Sequence, residues 1–145
     1  MTPSELTWLK VLRGSCLYVL VTGLLPSLAV FEATQEPWRL FFDLLTWPLD
    51  FEPATFTDSE RQLSAVLGGV LCAWAILMYQ LSHPSVFNPI IRTLMVRSVW
   101  VWFALDSLGS VISGLPLNAV SNAVFLVLLL LPLAALKTAR DRDLQ

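Results

Sequence analysis

Residues 117–136 read LNAVSNAVFLVLLLLPLAAL, twenty consecutive residues without a charge. A helix needs about 20 apolar residues to cross the hydrocarbon core of a bilayer, so this stretch predicts a membrane span. Just before it, Gly114-Leu115-Pro116-Leu117 reads as a tight turn, and residues 94–113 form another apolar run. Two spans joined by so short a turn make an antiparallel hairpin. Further out, residues 63–81 and 11–31 are apolar over comparable lengths. Four spans fill most of the 145 residues as a single domain. The expected fold class is an all-α membrane protein, a four-helix transmembrane bundle with a short interfacial helix in its long outer loop.

Composition agrees. Apolar residues make up 56% of the chain and charged ones 14%, against roughly 25% charged in a soluble domain. A soluble domain of this size cannot hide that much apolar surface, so lipid is the expected partner. A net charge of -2, without a basic cluster, argues against nucleic acid. Lys10 and Arg13 before an apolar run resemble the start of a signal peptide. The run is longer than a usual h-region, however, and Leu28-Ala-Val-Phe-Glu-Ala33 is a poor cleavage site, so an uncleaved span is expected.

Charge placement predicts the orientation. Lys10, Arg13, Arg92, Arg97, Lys137, Arg140 and Arg142 fall on one side, where short loops rich in Lys and Arg remain cytoplasmic. Opposite them stand only Arg39 and Arg61, among Glu32, Glu36, Asp43, Asp50, Glu52, Asp58 and Glu60. Both termini are therefore expected in the cytoplasm. The outer loop between the first two spans is too long for a simple hairpin connection. Within it, residues 38–47 place Trp38, Phe41, Phe42 and Leu45 on one helical face and Arg39, Asp43 and Thr46 on the other. Too short to span, this piece is expected to lie apolar face down in the interface, with a lid over a cavity or a docking surface for a partner as the alternative. Thr57, with Glu60 three residues on, predicts a capping box for the second span.

In lipid, helices associate by close packing at small residues. The second span offers two such rows, Ser64-Gly68-Cys72 and Ala65-Gly69-Ala73, expected to pack within the chain, with a homodimer as the alternative. Cys16 and Cys72 lie in apolar runs without a C-x-x-C spacing and read as packing residues. The costly feature is Asp106, roughly 10–12 Å along the helix axis from the outer end of its span. A carboxylate at the centre of a bilayer costs about 2.5–3.5 kcal/mol on insertion scales, so it should face the interior with partners. Ser110 shares its helix face and Ser107 adjoins it. Asn118 and Asn122 arrive at a similar level just after the turn, and Arg61 begins the second span on the same side. Asp106, Ser107, Ser110, Asn118, Asn122 and Arg61 thus form the candidate cluster, either a structural clasp or a ligand site.

The stretches 102–118 (WFALDSLGSVISGLPLN) and 64–74 (SAVLGGVLCAW) resemble small four-span bacterial inner-membrane proteins of uncharacterised activity, which carry an Asp-Ser-x-Gly-Ser segment in the third span. The resemblance implies a bacterial inner membrane and no chemistry. A single histidine, His83, precludes a bis-histidine haem and multi-histidine metal centres. The acids Asp50, Glu52, Asp58 and Glu60 lack EF-hand spacing. No metal or cofactor is expected. Motifs for nucleophilic, phosphate-binding or zinc-protease chemistry are absent, and Ser107 and Ser110 have no histidine or lysine on their side to activate them. The leading expectation is a non-enzymatic accessory subunit or structural bundle with a membrane-protein partner. The alternative is a small transporter or ligand-binding membrane protein built on Asp106.

Overall fold

The structure, a computed structural model, describes residues 2–46, 52 and 54–143, with side chains as far as residue 136. Five helices follow one another: α1 (Pro3–Leu28), α2 (Glu36–Asp43), α3 (Asp58–Leu81), α4 (Pro89–Ile112) and α5 (Pro116–Asp143). All but α2 are long and apolar enough to cross a membrane. Their starts are chemically marked. Thr2 and Glu5 form a reciprocal capping box on α1, and Thr57 and Glu60 form the expected one on α3. Asn88 Oδ1 accepts from the amides of Ile90 and Ile91 at 2.9 and 3.0 Å to cap α4. Each of these side chains occupies amides that the first helical turn would otherwise leave unpaired.

The α4–α5 turn closes by a Schellman arrangement, with Gly114 N–H on Val111 O at 3.2 Å and Leu115 N–H on Ser110 O at 2.8 Å. Gly114 has φ 81°, a left-handed conformation that glycine adopts without penalty, and Pro116 then starts α5. α4 and α5 consequently run back along each other.

α1 packs along α3 on one side and against α5 on the other, while α5 also carries α4. The α1–α3 crossing is close because Gly68 has no side chain. A Cβ there would meet Ser27 and, at 2.6 Å, the Gly23 carbonyl. Cys72, one turn on, puts its Sγ 3.6 Å from Leu20 O. The Ser64-Gly68-Cys72 row is thus the packing row. On the other row, Gly69 has nothing within 4 Å of a would-be Cβ. α1 and α5 are joined by a bond that proline chemistry calls for. Pro132 has no N–H for the Leu128 carbonyl, and the Ser15 hydroxyl donates to that oxygen at 2.8 Å. α3 and α4 meet through side chains, with Trp74 Nε1–H on Ser98 Oγ at 3.1 Å and the Trp74 and Trp102 rings 5.7 Å apart.

The buried apolar core lies toward the N-terminal half of α1 (Leu9, Leu12, Cys16, Val19) and the parts of α3, α4 and α5 beside it (Ala75, Met78, Met95, Val99, Leu129, Leu133). Arg13 stacks over the Tyr79 ring at 3.8 Å there, and Arg92 Nε donates to Leu133 O at 2.6 Å. Exposed apolar rows such as Leu17, Val21, Leu24 and Leu28 on α1, and Val120, Val124, Val127 and Leu131 on α5, give the surface a lipid-compatible face.

Helix limits differ from the sequence expectation in an instructive way. α1 begins at Pro3 and α4 at Pro89, both well before the apolar runs at 11 and 94. Caps, and not hydropathy, decide where a helix starts. α2 ends at Asp43 and gives way to turns through Thr46. Trp47, expected to close it, lies outside the described residues, as do Asp50 and the side chains of Lys137, Arg140 and Arg142.

Candidate functional site

Beside the packed core, toward the end where α1 finishes and α5 begins, the helices enclose a cavity of about 250 Å³. Its walls are Tyr18, Thr22 and Pro26 of α1, Leu67, Leu71 and Trp74 of α3, Trp102 and Asp106 of α4, and Asn118, Asn122 and Phe125 of α5. Its cover is α2 and the turn after it. Trp38, Phe41, Phe42 and Leu45 all line the space, and Trp38 and Leu45 are buried. The apolar face expected to lie on lipid is turned onto the protein, as the lid alternative had it. Trp38 Nε1–H donates to Ser64 Oγ at 3.1 Å, tying the lid to the first turns of α3. Phe42 meets Phe56 edge-on at 5.3 Å. Leu40 and Leu44 project outward, each more than half exposed.

Five of the six candidate residues come together. Asp106 and Ser110 stand one turn apart on α4, and the Schellman turn returns α5 at their level. Asn118 Nδ2 then donates to Asp106 Oδ1 at 3.1 Å and to Ser110 Oγ at 2.7 Å, using both amide hydrogens. Ser110 donates back to the Asp106 carbonyl at 2.7 Å, with Asp106 Oδ1 at 3.2 Å. One turn deeper, Asn122, buried, donates to Ser107 Oγ at 3.3 Å. Asp106 Oδ2 takes no hydrogen bond among the described residues, and Asp106 is only half-buried. The arrangement is therefore a clasp between α4 and α5 that leaves one carboxylate oxygen uncommitted on a cavity wall.

Arg61 does not join them. Its guanidinium pairs with Asp58 one turn back, a partner on its own helix. Arg61 and Asp58 lie with Val30 and Val66 on a separate surface concavity. The local ion pair needs no reach across the bilayer interface, which is why it prevails over the longer one. Among the described residues, no Lys, Arg or His lines the main cavity. Among the described residues, no group of His, Cys, Asp and Glu is placed to hold a metal. His83 sits in the exposed α3–α4 loop, with Nδ1 2.7 Å from Ser85 Oγ.

Sequence reading missed the aromatic walls. Trp74 and Trp102 lie near the middle of their spans, whereas membrane tryptophans favour the interfaces. That position was a usable signal that both rings face protein. A second one was Pro26, four residues after Thr22, which deprives the Thr22 carbonyl of its helical donor at the cavity wall.

No family model matches the chain, nor does any curated protein or solved structure.

Proposed function

We propose that this chain is a ligand-binding membrane protein of the bacterial inner membrane. It takes up a small amphipathic molecule in a cavity that opens beneath α2 toward the outer face. One observation carries this reading: the costly carboxylate Asp106 stands on the wall of a cavity of about 250 Å³ instead of being sealed among its partners. A purely structural clasp gains nothing from empty space beside it, since voids cost packing energy. A small-molecule site is mostly apolar with a few convergent polar groups, and Asp106, Asn118 and Asn122 supply those groups here. The excess of Lys and Arg near the opposite end supports cytoplasmic termini.

The test is tryptophan emission of the purified chain in mild detergent, titrated with phenol, benzylamine and benzoate. Ser121 of α5 lines the cavity, so saturable binding of at least one, lost when Ser121→Phe fills the space, is the expected result. Quenching that never saturates, or that is unchanged by Ser121→Phe, sinks the reading. An accessory-subunit role has one observation in its favour, the unpartnered Gly69 surface of α3. Loss of a co-purifying membrane protein on Gly69→Leu, with stability intact, would support it.

A further inference from the structure

We infer that the cavity selects an organic cation, a quaternary or protonated amine on a small apolar group. This rests on the ligand-binding reading above. Among the described residues, Asp106 is the only carboxylate on the lining, and no Lys, Arg or His stands there to neutralise it. Its Oδ1 is engaged by Asn118, whereas Oδ2 takes no hydrogen bond among the described residues. A carboxylate in a low-dielectric wall favours whatever brings a positive charge to it.

The rest of the wall has the same polarity. Trp74 and Trp102 stand 5.7 Å apart and tilted by 40°, and Trp102 meets Phe125 at 83°, so ring faces are presented in several directions. Trp38 closes the space from above. Aromatic faces carry partial negative charge and attract cations within about 6 Å. Thr22, on the α1 wall, has a carbonyl whose helical donor is removed by Pro26, leaving another negative dipole end unneutralised by the helix ladder. The amide nearest the carboxylate is committed to it and to its neighbour, since Asn118 gives both hydrogens to Asp106 and Ser110, while Asn122 gives one to Ser107. The carboxylate of α4 and ring faces from α2, α3, α4 and α5 therefore favour one charge type, and the cavity volume limits the guest to roughly the bulk of one substituted benzene ring.

Phenyltrimethylammonium and its neutral isostere tert-butylbenzene differ in one atom and one charge, and both fit that limit. Their affinities for the full chain in detergent are read from tryptophan emission, in the wild type and in Asp106→Asn. The preference for the cation is expected to fall about tenfold on substitution, a ratio in which partition into micelles cancels. An unchanged ratio, with both probes still binding saturably and both excluded by Ser121→Phe, overturns the cation inference and leaves the ligand-binding reading standing. Failure of both probes to bind saturably to the wild type overturns both. Should Asp106→Asn not fold, competition on the wild type decides. Benzenesulfonate, an anion of similar size, is expected not to displace phenyltrimethylammonium, and displacement at comparable concentrations overturns the inference.

Discussion

Removing the Ser15 hydroxyl should destabilise this protein only while Pro132 is present. Ser15 is buried at 7% exposure, and its Oγ lies 2.8 Å from the Leu128 carbonyl, which Pro132 leaves without a helical donor. Its other acceptor, Val11 O, is farther away at 3.2 Å, and a hydroxyl has one hydrogen to give. Ser15→Ala therefore leaves a carbonyl unpaired inside the helix pack. An orphaned buried carbonyl costs about 1–3 kcal/mol. Interhelical bonds in membranes average about 0.6 and reach about 1.7 kcal/mol, because the unfolded chain in lipid also finds partners. The expected cost is thus about 1–1.5 kcal/mol. Pro132→Ala returns an N–H to residue 132, four residues after Leu128, and lets the helix satisfy its own carbonyl. In that background Ser15→Ala should cost less than about 0.5 kcal/mol, giving a coupling near 1 kcal/mol. Reversible unfolding of the four proteins in mixed micelles, followed by far-ultraviolet circular dichroism, measures it. The packing lost with the buried proline ring cancels in the cycle. Equal Ser15→Ala costs in the two backgrounds would refute the reasoning.

Gly68→Ala drives a methyl into the Gly23 carbonyl and Ser27. It should cost about 1–3 kcal/mol because the obstacle is backbone, while Gly69→Ala should be neutral in the same unfolding assay. Asn118→Ala removes the one interhelical donor on Asp106 among the described residues and should cost about 1–2 kcal/mol, the partial exposure of Asp106 holding the value down. Arg61→Gln breaks a pair whose Asp58 side chain is 93% exposed. It should therefore shift stability by under about 0.5 kcal/mol and leave phenyltrimethylammonium affinity unchanged, whereas a large loss of affinity would return Arg61 to the site.

How far the candidate site was legible depended on distance along the chain. The pairing of Asp106 and Ser110 with Asn118 was legible because a tight turn after Ser113 leaves the returning helix only one level at which to pass. Arg61 was misjudged because it could be matched to Asp106 by level and charge alone, and neither reveals that Asp58, three residues away on the same helix, is nearer. The α2 face was recognisable as apolar, but an apolar face fits lipid and protein equally well. Only the position of Ser64, which holds Trp38, turns it inward.

The four apolar runs, the caps at Thr57 and the proline turn at Pro116 are local properties, and the chain by itself determined them. Chain length against bilayer thickness and backbone valence leave few alternatives. The tertiary structure alone decided that α1 and α5 form the centre and that α3 and α4 meet through side chains. It also decided that the space between them is left open on the side of Asp106. Those outcomes depend on which small residues meet a backbone across helices, Gly68 at the Gly23 carbonyl and Ser15 at the Leu128 carbonyl. Such contacts join residues more than forty positions apart, and the four-residue row through Gly68 marks one side of a crossing without naming what meets it.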